Sequence, residues 1–123
     1  MAKKVLIIED SSVDAALIKE LMIQEGLDAY VAENGEDGVK QAMALKPDII
    51  LLDLMLPGID GFEVCSRIKK ELSLRGTIVL ILSAKDDIDD INHAFQVKAD
   101  DYIIKPPMPE FLVKKVKLYL GVK

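Results

Sequence analysis

The segment from Ile49 to Gly61 reads Ile-Ile-Leu-Leu-Asp-Leu-Met-Leu-Pro-Gly-Ile-Asp-Gly. Four aliphatic residues run without a polar interruption into one carboxylate, Asp53, and a proline and two glycines later break the apolar pattern. Such a run is typical of a strand buried on both faces in a parallel sheet covered by helices. Open sheets of this kind bind their ligands beyond the carboxyl ends of the strands. Asp53 is therefore the first candidate functional residue.

The rest of the chain alternates between short apolar runs and amphipathic stretches, which predicts five strands and five helices. The strands are predicted at 5–8, 27–32, 49–52, 77–82 and 101–104. The helices are predicted from Ser11 or Ser12 to Gly26, after Asn34-Gly35 up to Pro47, from Phe62 to Leu72, around Ile88 to Phe95, and from Pro109 onward. In order from the first helix to the fifth, the inward faces are predicted to carry Val13, Leu17, Ile18, Leu21 and Met22; Val39, Ala42, Met43 and Leu45; Phe62, Cys65, Ile68 and Leu72; Ile88, Ile91, Ala94 and Phe95; and Leu112, Val116, Tyr119 and Leu120. On the fifth helix Lys114, Lys115 and Lys117 are predicted to face outward.

This alternation predicts an α/β fold with a doubly wound, five-stranded parallel sheet and helices on both faces, as in flavodoxin-like folds. The strand order 2-1-3-4-5 places the most apolar strands in the middle and the less apolar second strand at an edge. The topological switch point then falls between strands 1 and 3. Glu9, Asp10 and Asp53 are therefore expected to meet in one crevice.

The composition is that of a globular, soluble protein. A chain of 123 residues, 50% hydrophobic and 30% charged, predicts a single domain over residues 1–123, with no effector domain attached. The net charge of −5 argues against nucleic acid as a direct partner. Cys65 is the only cysteine and cannot form an internal disulfide, and no apolar run approaches the ~20 residues of a membrane helix. We expect a cytoplasmic protein without membrane insertion.

Polar side chains follow four of the predicted strands: Glu9-Asp10, Asp53, Ser83 and Lys105. Carboxylates packed within a few Å must share protons or hold a cation. Oxygen ligands without histidine or cysteine suit Mg²⁺, which favours the metal over a shared proton. Lys105 and Ser83 could neutralise the oxygens of a phosphoryl group, and an aspartate can be the nucleophile that accepts it.

Four sequence motifs carry a resemblance to a known family. They are the acidic pair Glu9-Asp10, the block Leu-Leu-Asp-Leu-Met-Leu-Pro-Gly-Ile-Asp-Gly at 51–61, Leu-Ser-Ala at 82–84, and Ala-Asp-Asp-Tyr-Ile-Ile-Lys-Pro at 99–106. In this order and spacing, over essentially the whole length, the chain resembles the receiver domain of a two-component response regulator. The resemblance implies that the chain is not an enzyme but a regulatory phosphoacceptor domain, which assists only its own phosphorylation and dephosphorylation.

The resemblance implies a role for each site residue. Asp53 would accept a phosphoryl group from a histidine kinase or a histidine phosphotransfer protein. Mg²⁺ would be held by Glu9, Asp10, Asp53 and the Met55 backbone carbonyl. Ser83 and the Ala84 backbone would bind phosphoryl oxygens, and Lys105, joined to Pro106 by a cis peptide bond, would pair with the phosphate.

The resemblance also implies a switch. Ser83 would move toward the phosphoryl group, and Tyr102 would turn inward into the space that Ser83 leaves. The affected face, formed by helix 4, strand 5 and helix 5, would control binding of an unknown downstream protein. Homodimerisation through this face is a further partner hypothesis. The chain departs from the family pattern at Lys98, where glycine is usual, and at Pro107, where an aromatic residue is usual.

Three other functions compete with this interpretation. A phosphatase or phosphotransferase of the haloacid dehalogenase kind would need a second aspartate two residues after the nucleophile, where Met55 stands. A flavin or dinucleotide binder would need a glycine-containing phosphate loop after strand 1, and Glu9-Asp10-Ser11-Ser12 contains no glycine. The third alternative is a receiver-like scaffold that is never phosphorylated.

Several polar or reactive residues are expected to have ordinary structural roles. His93 is predicted to be a surface residue and Cys65 a core residue. Asp100-Asp101 precedes its strand and is expected at the rim opposite Asp53. Asp60 is predicted to cap helix 3.

Overall fold

The computed structural model describes residues 2–122. Its strands are β1 (Lys4–Ile8), β2 (Asp28–Ala32), β3 (Ile49–Leu52), β4 (Ile78–Ser83) and β5 (Asp101–Ile104). They form one parallel sheet in the order β2-β1-β3-β4-β5, which confirms the predicted fold class and strand order. β2 lies at an edge, where its exposed Asp28 remains in contact with water.

The two central strands β1 and β3 end at the same level. Ile8 pairs with Leu52 in the parallel register, so the residues that follow, Glu9 and Asp53, emerge side by side. Every residue of β3 is buried, as expected for a strand covered on both faces.

Five helices fill the connections: α1 (Ser12–Gln24), α2 (Gly35–Leu45), α3 (Gly61–Lys70), α4 (Ile88–Gln96) and α5 (Pro109–Leu120). One turn of 3₁₀ helix, Leu72–Leu74, follows α3. The side chains of Ser11, Asn34, Asp60 and Asp87 cap the first four helices by accepting a hydrogen bond from a first-turn N–H. The predicted capping role of Asp60 is therefore confirmed. None of the helices in residues 2–122 has the length and apolarity needed to span a membrane.

Each face of the sheet has its own hydrophobic core, because alternate strand residues point to opposite faces. On one face Leu6, Ile8, Ile50 and Leu52 pack with residues of α2, α3 and α4, namely Ala42, Val64, Cys65, Ile68 and Ala94. On the other face Val5, Ile7, Ile49 and Leu51 pack with Ile18 and Met22 of α1 and with Leu112 and Val116 of α5. Cys65 is a core residue, as predicted.

The inward face of α1 differs from the prediction. Val13 and Leu17 are 67% and 63% exposed, whereas Ala15, Ile18 and Met22 are buried. Residues spaced by three and four positions share one face of a helix. Ile18, Leu21 and Met22 pack in the core as predicted, so the prediction for this helix is wrong at Val13 and Leu17 only.

Four further residues predicted to face inward are exposed. Met43 of α2 is 39% exposed. Leu72 is 76% exposed because α3 ends at Lys70 and Leu72 begins the 3₁₀ turn. Ile88 and Phe95 of α4 are also exposed, so only Ala94 of that helix is fully buried. The basic residues of α5 were predicted to be solvated, yet Lys115 and Lys117 are partly buried in ion pairs with Asp101 and Glu25.

Three helices end in the same two-bond motif, in which one residue adopts a left-handed conformation. In α4 the Lys98 N–H donates to the Phe95 carbonyl and the Ala99 N–H to the Ala94 carbonyl, which defines a Schellman motif. The left-handed position is glycine after α1 and α5, at Gly26 and Gly121, but Lys98 after α4, with φ of +75°. Because a β-carbon is strained in this conformation, Lys98 destabilises the end of α4.

We predict that Lys98→Gly stabilises the protein. The substitution removes the strain of the β-carbon, and the larger conformational entropy of glycine in the unfolded chain offsets part of the gain, leaving about 0.5–1 kcal/mol. The free energy of unfolding, measured by urea denaturation monitored by circular dichroism, tests this.

Lys98→Ala is the matched control, because it removes the same exposed amino group and keeps the β-carbon. It should leave the free energy of unfolding nearly unchanged. If Lys98→Ala stabilised the protein as much as Lys98→Gly, the gain would come from the side chain and the proposed backbone strain would be wrong.

Candidate functional site

Glu9 and Asp53 are held next to each other by the backbone hydrogen bonds at the ends of the central strands. The Asp53 N–H donates to the Ile8 carbonyl at 3.0 Å, and the Glu9 N–H donates to the Ala32 carbonyl at 3.0 Å. Both side chains are nearly inaccessible to water, with residue exposures of 3% for Glu9 and 7% for Asp53. Asp10, the next residue after Glu9, is exposed.

The structure brings together the three acids that the sequence placed in one crevice. One carboxylate oxygen each from Glu9, Asp10 and Asp53 lies within 4.8 Å of the others. A cluster of oxygen donors without nitrogen or sulfur fits a hard cation such as Mg²⁺. The Met55 N–H donates to Asp53 Oδ1 at 3.0 Å, so this carboxylate is oriented by the loop that follows it.

The loop after Asp53 is closed by a close backbone contact. A β-carbon on Gly61 would lie 2.5 Å from both the Asp53 carbonyl oxygen and the Leu54 Cα. The Gly61 N–H also donates to the Leu54 carbonyl at 3.1 Å. Only glycine fits at this position, and its contact fixes the segment that carries Met55 beside Asp53.

Lys105 reaches the acids from β5, two strands away from β3. Its N–H donates to the Ser83 carbonyl at 2.9 Å, and its side chain extends past the end of β4. The Lys105 ammonium contacts Glu9 Oε1 and lies 3.1 Å from Asp53 Oδ2. The Lys105–Pro106 peptide bond is cis, as the resemblance implied.

The charges in the crevice shift two pKa values. Burial lowers the pKa of Lys105, but the hydrogen bonds from its ammonium to Glu9, Asp14 and Asp53 outweigh burial and raise this pKa above its ordinary value. The pKa of Glu9 is raised above its ordinary value, mainly by burial and also by the charge of Asp53. Hydrogen bonds from Lys105 and the Ser11 N–H act in the opposite direction and are outweighed. A buried acid pair of this kind is stabilised by any additional positive charge.

Asp14 was missed by the sequence analysis, although it contacts the Lys105 ammonium. Asp14 Oδ2 lies 2.9 Å from Lys105 Nζ, and the side chain of Asp14 is 44% exposed. Asp14 belongs to the first turn of α1, which starts at the rim where β1 ends. A carboxylate in the first turn after a rim strand was the signal that could have identified it.

Ser83 is the last residue of β4 and is completely buried. Leu52 pairs with Ile81, so Ser83 lies one residue beyond the β4 position level with Asp53. The Ser83 Oγ accepts a hydrogen bond from the Lys85 N–H at 3.3 Å. Ala84, between them, is exposed at the same rim.

Tyr102 already contacts the loop that follows Ser83. Its hydroxyl donates to the Lys85 carbonyl at 2.6 Å. Burial raises the pKa of the Tyr102 hydroxyl, and the negative charges of Asp90, Asp53 and Asp86 raise it further. Tyr102 therefore remains protonated at neutral pH and can act as a hydrogen-bond donor.

The remaining singled-out residues lie away from this site. Asp100 accepts hydrogen bonds from the Val79 N–H and from Lys69, at the opposite rim as predicted. His93 is exposed, as predicted, and its ring stacks on Phe62 with centroids 3.9 Å apart. Burial raises the pKa of the Cys65 thiol to about 11, so this thiol is protonated and unreactive.

Comparison with known proteins matches nearly the whole chain. A family model described as "Response regulator receiver domain" matches residues 5–117. Among solved structures, the receiver domain of a signal transduction histidine kinase from Syntrophus aciditrophicus is 31% identical, with a TM-score of 0.90, 98% of this chain and 91% of that chain covered. The BeF3-activated receiver domain of Klebsiella pneumoniae RstA is 27% identical, with a TM-score of 0.90 and coverage of 96% and 98%. The BeF3-activated DrrB receiver domain is 30% identical, with a TM-score of 0.88 and coverage of 98% and 99%.

The family match extends from the second residue of β1 to the last turns of α5, so it includes every strand end that contributes to the acidic crevice. The chain belongs to the response regulator receiver domains, the regulatory modules of two-component systems that signal through phosphorylation.

Proposed function

We propose that Asp53 accepts a phosphoryl group from the phosphohistidine of a histidine kinase or a histidine phosphotransfer protein. The observation that carries this proposal is the position of the Asp53 carboxylate, buried at the tip of β3 with Oδ2 at 3.1 Å from the Lys105 ammonium. A nucleophile in this position is oriented and has a cation beside it to bind the incoming anion.

The transfer forms one bond and breaks one bond. A carboxylate oxygen of Asp53 attacks phosphorus, and the bond between phosphorus and the histidine nitrogen breaks with its electron pair remaining on the imidazole. The other ring nitrogen of the phosphohistidine carries a proton, so the departing imidazole is neutral. The product is an acyl phosphate on Asp53 and a neutral histidine on the donor. Lys105, the Ser83 hydroxyl and the Ala84 backbone N–H bind the phosphoryl oxygens, and Lys105 neutralises part of their charge.

Glu9, Asp10, Asp53 and the Met55 backbone carbonyl are the proposed ligands of Mg²⁺. The acid cluster within 4.8 Å and its all-oxygen donor set support this assignment. When bound, Mg²⁺ supplies positive charge that allows an anionic phosphoryl group to approach anionic Asp53. The exposed Asp10 leaves the crevice open to solvent on one side.

We propose that phosphorylation acts on the face formed by α4, β5 and α5. The Ser83 hydroxyl gains a phosphoryl oxygen as a partner and moves toward it, and Tyr102 follows into the space that Ser83 vacates. The existing hydrogen bonds support this route, because Lys85 joins the Ser83 Oγ to the Tyr102 hydroxyl. The same face exposes Phe95, Ile104 and Phe111, apolar side chains suited to a downstream protein or a second copy of the chain.

Met55 argues against the rival function as an enzyme with an aspartyl nucleophile. A phosphatase or phosphotransferase with an aspartyl nucleophile needs an acid–base group two residues later, where the thioether of Met55 cannot transfer protons. A scaffold that is never phosphorylated remains the other alternative, and the experiment below separates it from the proposal.

We predict that the protein incubated with Mg²⁺ and acetyl phosphate gains the mass of one phosphoryl group in intact mass spectrometry. The adduct should be labile to base, because an acyl phosphate hydrolyses readily, and Asp53→Asn should abolish it. Chelating the metal should abolish it as well.

The matched control is Asp60→Asn, which makes the same charge change in the same loop and keeps a good helix cap. This variant should form the adduct at the wild-type level. An absent adduct in wild type, or an adduct that persists in Asp53→Asn, would refute Asp53 as the phosphoacceptor.

We predict that the Ser83→Ala variant accepts the phosphoryl group, but that its phosphorylation changes the structure around Tyr102 less than it does in wild type. Without the hydroxyl, the loop from Ser83 to Lys85 loses its attraction to the phosphoryl oxygens. Phosphorylation should then shift the amide NMR signals around Tyr102 much less than in wild type. Ser73→Ala, at an exposed serine of the 3₁₀ turn, is the control and should respond as wild type does. Unchanged shifts in Ser83→Ala would contradict the proposed coupling.

A further inference from the structure

The Lys105 ammonium has three carboxylate partners, and one of them lies outside the acid cluster. Glu9 and Asp53 belong to the proposed cation site, whereas Asp14 does not. Asp14 Oδ2 is 2.9 Å from Lys105 Nζ, within the range of a charge-assisted hydrogen bond. A lysine ammonium has three N–H donors, so these three partners account for all of them.

The position of Asp14 is fixed relative to the site by the start of α1. Glu9 Oε2 accepts a hydrogen bond from the Ser11 N–H at 3.1 Å, and Ser11 Oγ accepts one from the Asp14 N–H at 3.3 Å. The Glu9 carboxylate therefore binds Lys105 with one oxygen and anchors the first turn of α1 with the other. This chain of contacts joins the backbone of Asp14 to the Glu9 carboxylate that binds Lys105.

A cation bound to Glu9 and Asp53 would compete with Lys105 for the negative charge of the same two carboxylates. Asp14 would then be the remaining carboxylate partner, among the described residues, that still holds the ammonium. Lysine has a flexible four-carbon stem, so an ammonium without an anchor loses its direction toward Asp53.

We propose that Asp14 is a positioning residue that keeps Lys105 Nζ directed at the Asp53 oxygen where the phosphoryl group arrives. This role rests on the proposed phosphorylation of Asp53. Asp14 does not contact the reacting atoms and acts through Lys105. In the first turn of α1 its charge also interacts favourably with the helix dipole, and a test must separate that structural effect from positioning.

The first measurement is the initial rate of phosphorylation by acetyl phosphate and Mg²⁺, followed by intact mass. Asp14→Asn should lower the rate about three- to five-fold, the range expected for losing a half-exposed ion pair. Asp14→Glu, which keeps the charge, should restore most of the rate. Glu20→Gln makes the same charge change further along α1, where Glu20 accepts a hydrogen bond from Gln24 and is not one of the carboxylates that contact Lys105. It should leave the rate unchanged.

The decisive comparison is a double-mutant cycle with Lys105→Met. If Asp14 acts through Lys105, Asp14→Asn should cause no further loss of rate in the Lys105→Met background. An equal loss in both backgrounds would show that Asp14 acts on helix stability or overall charge, and the positioning role would be wrong.

The second measurement needs no phosphorylation. The ¹H–¹⁵N signal of the Lys105 ammonium is visible by NMR only while hydrogen bonds slow its proton exchange. With saturating Mg²⁺, wild type and Glu20→Gln should retain this signal, and Asp14→Asn should lose it. Retention in Asp14→Asn together with an unchanged rate would overturn the inference.

These measurements distinguish failure of the proposed function from failure of the positioning role. If wild type gains no phosphoryl group, the proposed function fails, and the ammonium signal still decides whether Asp14 holds Lys105. If wild type is phosphorylated on Asp53 and the Asp14 variants match it in rate and signal, only the positioning role fails.

Discussion

The site depends on one electrostatic constraint, which is that Glu9 and Asp53 are buried side by side and need a nearby positive charge. Ionised carboxylates withdrawn from water are destabilised unless they are paired and hydrogen-bonded. Lys105 supplies the charge by contacting both carboxylates. The strand order makes this contact geometrically accessible, because β5 lies two strands from β3 and a lysine side chain spans the intervening end of β4.

The same constraint makes the crevice responsive to bound ions. Glu9, Asp10, Asp14 and Asp53 place four carboxylates around the Lys105 ammonium, so the crevice is electronegative and favours a cation. A cation or a phosphoryl group changes the charge balance at groups that already hydrogen-bond to the surrounding backbone. Glu9 holds the start of α1 through the Ser11 N–H, and Asp53 holds its loop through the Met55 N–H. Both carboxylates are thus linked to the backbone positions through which the proposed switch would act.

The sequence predicted the sheet and the acid cluster well, because both depend on where apolar runs stop. In a parallel sheet every carboxyl end lies at one edge, so the residue after each strand is placed by topology alone. Helix faces were predicted less well. Val13 and Leu17 are apolar yet exposed, because the helical phase of α1 buries Ile18, Met22 and Ala15, the last a residue with a weak hydrophobic signal. Asp14 was missed for a related reason, because its contact with Lys105 depends on that same helical phase.

The unequal anchoring of the helices favours α4 as the element that responds to the site. α1 buries Ala15, Ile18 and Met22, whereas α4 buries only Ala94 completely. An element with few buried apolar contacts costs little free energy to displace. The strained Lys98 also destabilises the carboxyl end of α4. The hydrogen bonds that link Lys85 to Ser83 and Tyr102 lie directly before α4, so the proposed movement of Ser83 would act on the less anchored of these two helices. α1, which buries three residues, is instead suited to hold Asp14 beside Lys105 during the proposed movement of the β4–α4 loop.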